Sequence, residues 1–212
     1  MRGRMNDLPA PPPRPRRRTP WAEAAYAALD FETTGLDYAT DEVVSYGVVP
    51  IQGGHVRLGD AVHQLVRPDT PPSPSSQTVH LLRPADLAEA PPIAESRERL
   101  RNLLAGRYLV VWFADVEVHF LARTFGGSLR AWRRRTIDVR NLAIAVAGEP
   151  AEVRRRQGFA LHTVARRYGV PVVSPHEALD DALVTAQLLL VLAPKLPGVP
   201  RPSVRDLVRI AR

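Results

Sequence analysis

Asp30 and Glu32 are carboxylates one residue apart, followed at once by Thr33, Thr34 and Gly35. On an extended chain alternate side chains share a face, so Asp30 and Glu32 project to one side while Leu29 and Phe31 project to the other. Two such carboxylates repel each other unless a cation lies between them. Mg²⁺ is a hard cation that takes oxygen ligands of this kind. The Thr-Thr-Gly turn would bring backbone N–H groups to the same point, where they could hold a phosphate or a terminal nucleotide. By itself such a pair fits a solvated strand end better. A second acidic pair, Asp115 and Glu117, comes early in a helical stretch. Asp115 reads as the N-cap and Glu117 as a first-turn residue, positions where acids are favoured for reasons unrelated to catalysis. A third group, His176-Glu177-Ala178-Leu179-Asp180-Asp181, opens the last long helix, with Pro175 holding His176 in the preceding loop. An aspartate for a metal and a histidine of ordinary pKa near ~6.5 for the proton of an attacking water are what a metal-assisted hydrolase needs.

The elements that must position these groups follow from the apolar pattern. Tyr26–Glu32 reads as a strand, Val43–Ile51 as a second and Val56–Val66 as a third with a weak point at Gly59. The Gly53-Gly54 turn between apolar runs predicts an antiparallel hairpin. Pro68–Ser76 reads as a loop and Ile93–Ala105 as a helix. Tyr108–Phe113 reads as a buried strand, and Asp115–Thr124 as a helix ending near Gly126. Ile137–Ala147 fits strand or helix. Phe159–Tyr168 and Glu177–Leu192 read as helices, the latter with Leu179, Leu183, Ala186 and Leu190 as its apolar stripe. Val204–Ile210 fits a short last helix. Strands first, then strands alternating with helices, predict an α/β domain with a mixed sheet.

A chain of 212 residues fits one domain with tails. Residues 1–22 read as a disordered Pro/Arg-rich arm, 23–194 as the catalytic domain and 195–212 as a basic tail. No apolar run approaches the ~18 residues of a membrane helix, and no apolar stretch follows the basic N-terminus as in a secretory signal. A cytoplasmic protein is the expectation. The sequence has no cysteine, which excludes disulfides, zinc–thiolate sites and a cysteine nucleophile. The net charge of +7 suggests a polyanionic partner, yet residues 1–20 carry +5 and residues 195–212 carry +4, leaving the body at −2. The runs Arg133–Arg135 and Arg154–Arg156 fit either a nucleic-acid backbone or solvated surface.

Asp30-Phe31-Glu32-Thr33-Thr34-Gly35 and His176-x-Ala178-x-x-Asp181 resemble two motifs of the DEDDh 3′→5′ exonucleases, a family that includes proofreading subunits of bacterial replicative polymerases. Thr78-Val79-His80 resembles the family's V-H segment, and Ile137-Asp138 its aspartate-containing strand. The resemblance runs from about Tyr26 to Leu192. The middle motif departs from the family's H-N-A-x-F-D-x-x-F-L: Trp112 and Phe113 stand for the His-Asn pair, and Glu117 for the aspartate. The added C–C bond of roughly 1.5 Å is large on the scale of catalytic positioning. The resemblance implies a ribonuclease H-like mixed β-sheet flanked by helices in a single domain. It also implies two divalent ions, Mg²⁺ or Mn²⁺, held by Asp30, Glu32, Glu117 and Asp181. His176 would be the general base. Thr33, Thr34, Gly35 and Leu36 would grip the terminal nucleotide, with His80 a lesser member of that pocket. The implied reaction releases 5′-mononucleotides from the 3′ end of single-stranded nucleic acid, DNA favoured. An exoribonuclease for short RNA, or a strand-binding module impaired in catalysis by Glu117, are the other readings. No motif identifies a polymerase or repair partner.

Overall fold

The computed structural model describes residues 16–148 and 159–211. Its elements run, in chain order, β1 (Tyr26–Thr33), β2 (Val43–Gln52), β3 (His55–Val56), β4 (Val62–Leu65), α1 (Pro74–His80), α2 (Pro84–Leu87) and α3 (Ile93–Leu104). There follow β5 (Tyr108–Val111), α4 (Ala114–Phe125), α5 (Leu129–Arg133), β6 (Thr136–Asp138), α6 (Val139–Ala147), α7 (Leu161–Arg167), α8 (Ala178–Leu192) and α9 (Val204–Ile210). The strands form one mixed sheet in the order β3-β2-β1-β5-β6, with β4 also pairing β2. β1 is antiparallel to β2 and parallel to β5, and β5 is parallel to β6.

Alternation along β1 divides the interior into two layers. Tyr26 and Ala28 enter one core with residues of α6, α7, α8 and α9. Ala27, Leu29 and Phe31 enter the other with residues of α3, α4 and α5. Asp30 and Glu32 therefore lie at the open end of the face covered by α8. Gly47 of β2 pairs with Asp30. A Cβ at Gly47 would lie 2.1 Å from the Ala178 carbonyl oxygen and 2.5 Å from the Leu179 Cα. Only glycine lets the first turn of α8 rest on the sheet beside Asp30.

Several expectations need correction. The third strand is broken, because a 3₁₀ turn at Leu58–Asp60 separates β3 from β4. Part of the Pro/Ser-rich loop is helical: α1 starts at Pro74, capped by the Ser73 side chain, and carries Thr78, Val79 and His80. Asp115 is the second residue of α4, whose N-cap is Phe113. The segment 137–147 is both strand end and helix, because Asp138 closes β6 and caps α6 through the Asn141 N–H. The buried residues of α8 are Ala178, Asp181, Ala182, Val184, Thr185, Ala186, Leu188, Leu189 and Leu192; of the expected stripe Ala186 is among them, while Leu179, Leu183 and Leu190 are half-buried.

The basic C-terminal segment is no loose tail. Val204, Leu207, Val208 and Ala211 are buried in the core. The Val204 N–H donates to Thr19 O at 3.1 Å and the Arg205 N–H to Arg17 O at 2.9 Å, joining the end of the N-terminal segment to α9. The rest of the Pro/Arg arm and the run Arg154–Arg156 lie outside the described residues. Among the described residues no helix is long and apolar enough to cross a membrane.

Candidate active site

Asp30 and Glu32 of β1 meet Asp181 of α8, with one carboxylate oxygen from each lying within 4.8 Å of the others. Asp181 arrives there because Gly47 lets α8 descend, and it is 6% exposed. His162 of α7 fixes its orientation, Nε2–H donating to Asp181 Oδ1 at 2.7 Å. The backbone N–H of His176 donates to Oδ2 at 3.3 Å. His176 is exposed on the loop before α8, with φ +64, a left-handed conformation uncommon for a residue with a Cβ. Its ring meets that of His162 edge-on, with centroids 5.3 Å apart. Glu117 enters from α4 in the opposite layer. It is 4% exposed, and its Oε2 is buried without a hydrogen-bond partner. Glu117 lines the same cavity but stands outside the three-carboxylate cluster.

The electrostatics reflect acids without a counter-charge. Burial raises Asp30 well above the usual carboxylate range, and Glu117, Glu32 and Asp181 raise it further. Burial, then Asp181, pushes Glu32 up to about 8. Burial also raises Glu117, its own backbone N–H opposing and Asp138, Glu32 and Asp115 adding. The charged groups acting on Asp30 and Glu32 are all carboxylates. This oxygen-rich donor set fits a hard divalent cation, which would remove both the repulsion and the desolvation cost.

The turn after β1 is held from within. The Thr34 N–H donates to Glu42 O at 2.8 Å, and Thr34 Oγ1–H to Asp41 Oδ1 at 2.7 Å. Thr33 Oγ1–H donates to Gly35 O at 2.7 Å, and Ser76 Oγ–H to Thr34 O at 2.8 Å. A Cβ at Gly35 would lie 2.4 Å from Asp41 Oδ2 and would displace the carboxylate that Thr34 holds. Both hydroxyls and the Thr34 N–H are thus engaged within the scaffold of the turn. What the turn presents is Leu36, 71% exposed at the cavity mouth. His80 lies in the same wall. The Leu82 N–H donates to its Nδ1 at 3.0 Å, leaving a buried, unpartnered Nε2, and burial lowers its pKa.

The cavity measures about 730 Å³ and brings together Asp30, Glu32, Thr33, Gly35, Leu36, His80, Glu117, His176 and Asp181. Thr34 is buried just behind it. Sequence reasoning missed His162, Gly47 and Ser76, and gave Val79 only as part of the Thr78-Val79-His80 segment. His162 lies inside the helix read over Phe159–Tyr168 with nothing local to mark it as a partner of Asp181, and nothing in the sequence marks Gly47 as a contact for α8.

Comparison with solved structures places this sheet and its helices in the ribonuclease H-like exonuclease fold. Exonuclease X in complex with 5′-overhanging duplex DNA aligns with a TM-score of 0.65 at 20% identity, covering 88% of this chain and 99% of that one. The nuclease domain of 3′hExo, a DEDDh family member bound to rAMP, aligns at 0.67 with 16% identity, covering 87% and 98%. The family profile described as Exonuclease (RNase T) matches residues 27–189, and the chain belongs to that family. A DNA polymerase III subunit epsilon-like protein of Rhodobacter capsulatus is 31% identical over 181 residues, 84% of this chain and 25% of that protein. The PolC-type DNA polymerase III of Thermotoga maritima is 30% identical over 171 residues, 80% of this chain and 12% of that protein. The chain thus spans a quarter or less of these curated relatives.

Proposed function

We propose that this protein is a divalent-metal-dependent 3′→5′ exonuclease that removes 5′-mononucleotides from single-stranded nucleic acid, with DNA as the favoured substrate. The observation that carries the reading is the convergence of Asp30, Glu32 and Asp181 within 4.8 Å, with His176 at the rim of the same cavity. Asp30, Glu32 and Asp181, with Glu117 from the opposite wall, would hold Mg²⁺ or Mn²⁺. When bound, two such ions supply Lewis-acid stabilisation of the attacking and leaving oxygens.

The chain's own residues do the rest. His162 holds the Asp181 carboxylate by one oxygen, so its orientation is set before substrate arrives. His176 accepts the proton of the attacking water as the new P–O bond forms. The P–O3′ bond breaks and the 3′ oxygen takes up a proton from solvent. Leu36, with Val79 beside it, offers apolar surface to the terminal base, and the buried Nε2–H of His80 is a donor in that wall. The named structural neighbours carry DNA in one case and rAMP in the other, so the fold accommodates either sugar.

The test is incubation of 5′-labelled single-stranded DNA and RNA of one sequence with Mg²⁺, Mn²⁺ or EDTA. A metal-dependent ladder shortening from the 3′ end, faster on DNA and absent for Asp30→Ala, is expected. The position of Glu117 outside the cluster favours a second reading, a strand-binding module without hydrolysis. A strand bound but uncut in either metal would establish that reading and overturn the first.

A further inference from the structure

Phe113 is shared by two cavities. One is the acidic pocket; the other, about 670 Å³, lies beyond the first turn of α4. Arg130, Arg133 and Arg134 of α5 and its C-terminal end line it, with Thr136 and Asp138 of β6. Of its two acids, Asp138 accepts the N–H groups of Ala114 and Asn141, both at 2.9 Å, and so is engaged with two helix N-termini. Asp115 is paired with Arg133. Arg130 is exposed, and its side chain makes no hydrogen bond or ion pair among the described residues. Arg135, the last of the run, is 4% exposed, donates to the carbonyls of Leu104 and Arg107 and packs on Trp132; it belongs to the scaffold.

Phe113 is itself unusual. It is the one aromatic among the exposed large apolar side chains of the described residues, at 41%, and the Arg140 guanidinium lies 5.7 Å from its ring centre. It stands where the exonuclease pattern has asparagine. An exposed aromatic between a cleavage pocket and an arginine-lined cavity combines the two features that bind single strands, a stacking surface and a cationic track.

We infer that the strand leaves the acidic pocket across Phe113 and lays its backbone phosphates in the cavity lined by Arg130, Arg133 and Arg134. This rests on the strand-binding part of the proposed function. The ligand is the phosphodiester backbone several nucleotides from the 3′ end. Arg130 is its least encumbered contact, and Phe113 stacks the base at the crossing.

The experiment measures binding of fluorescein-labelled oligothymidylates of two to ten nucleotides to the full chain in EDTA, by anisotropy at several salt concentrations. Wild type is compared with Arg130→Ala, Phe113→Ala and Arg57→Ala. Arg57, on the opposite edge of the sheet, controls for the loss of one positive charge. Wild-type affinity is expected to climb with length until the strand fills the cavity. Arg130→Ala should flatten that climb, weaken the longest oligomer about tenfold and reduce the salt slope by about 0.7, the value for one lost single-strand phosphate contact. Phe113→Ala should weaken the same lengths without changing the slope. Thermal melts verify that each variant is folded.

If Arg130→Ala and Arg57→Ala show the same length profile and slope, the inference is overturned. It is also overturned if inorganic phosphate or a mononucleotide competes as well as a long strand, since the cavity would then take a free anion. Because cleavage plays no part in the measurement, failure of hydrolysis in the metal assay and failure of this strand path give separate results.

Discussion

At the scale of single residues, Asp30, Glu32 and Glu117 are held above their usual pKa values, with Asp181 and two histidines beside them. Under the proposed function, replacing Asp30 or Glu32 by its amide removes a half-buried charge and a metal ligand together. Asp30→Asn is expected to abolish cleavage while raising the melting temperature of the metal-free protein, because the repulsion with Glu32, Glu117 and Asp181 is gone. A variant that loses both activity and stability would mean that these acids serve packing. His176→Gln is expected to lower kcat by roughly 10²–10⁴, the range for one general acid–base group, with little change in metal affinity. These residues were legible in the sequence because the chemistry lies in residue type and short spacing: a D-x-E on a strand, and a His followed at five residues by Asp. His162 was not legible as a partner of Asp181. Their contact depends on how α7 docks on α8, and no local spacing encodes it.

At the scale of elements, the geometry of the acidic cluster depends on how closely α8 rests on β2. Gly47→Ala puts a methyl carbon 2.1 Å from the Ala178 carbonyl oxygen, a backbone atom that moves only if the helix does. Overpacking of this kind costs about 1–3 kcal/mol. Cleavage should fall by more than the stability loss explains, because Asp181 moves away from Asp30. Melting curves and kcat for Gly47→Ala test this, and full activity in a folded variant would contradict it. The broken third strand and the rotated stripe of α8 show where local pattern fails. Ala178, Ala182 and Thr185 are buried, Ala178 against Gly47 of the sheet, whereas apolar periodicity favoured Leu179, Leu183 and Leu190, which are half-buried, beside Ala186, which is buried. The segment 137–147 was ambiguous because Asp138 ends a strand and caps a helix at once.

At the scale of the whole molecule, both ends of the described chain meet at α9, and the core extends into a segment whose charge alone suggested a tail. Leu207→Ala is expected to cost about 2–5 kcal/mol, as for other fully buried leucines, measurable as a lower denaturation midpoint. The acidic cluster also links stability to pH. Glu32 is raised from 4.5 to about 8, so between those values the folded chain binds more protons than the unfolded one and stability falls as pH rises. Metal-free protein should therefore lose melting temperature from pH 5 to pH 8, and added Mg²⁺ or Mn²⁺ should stabilise it more at pH 8. The measurement that bears most directly on the account is titration of Mn²⁺ into the full chain, followed by electron paramagnetic resonance, for wild type and Asp30→Asn. Saturable binding of Mn²⁺ by wild type, lost or much weakened in Asp30→Asn, is the predicted result; equal binding by the two proteins, or none by either, would contradict a metal centre built on Asp30, Glu32 and Asp181.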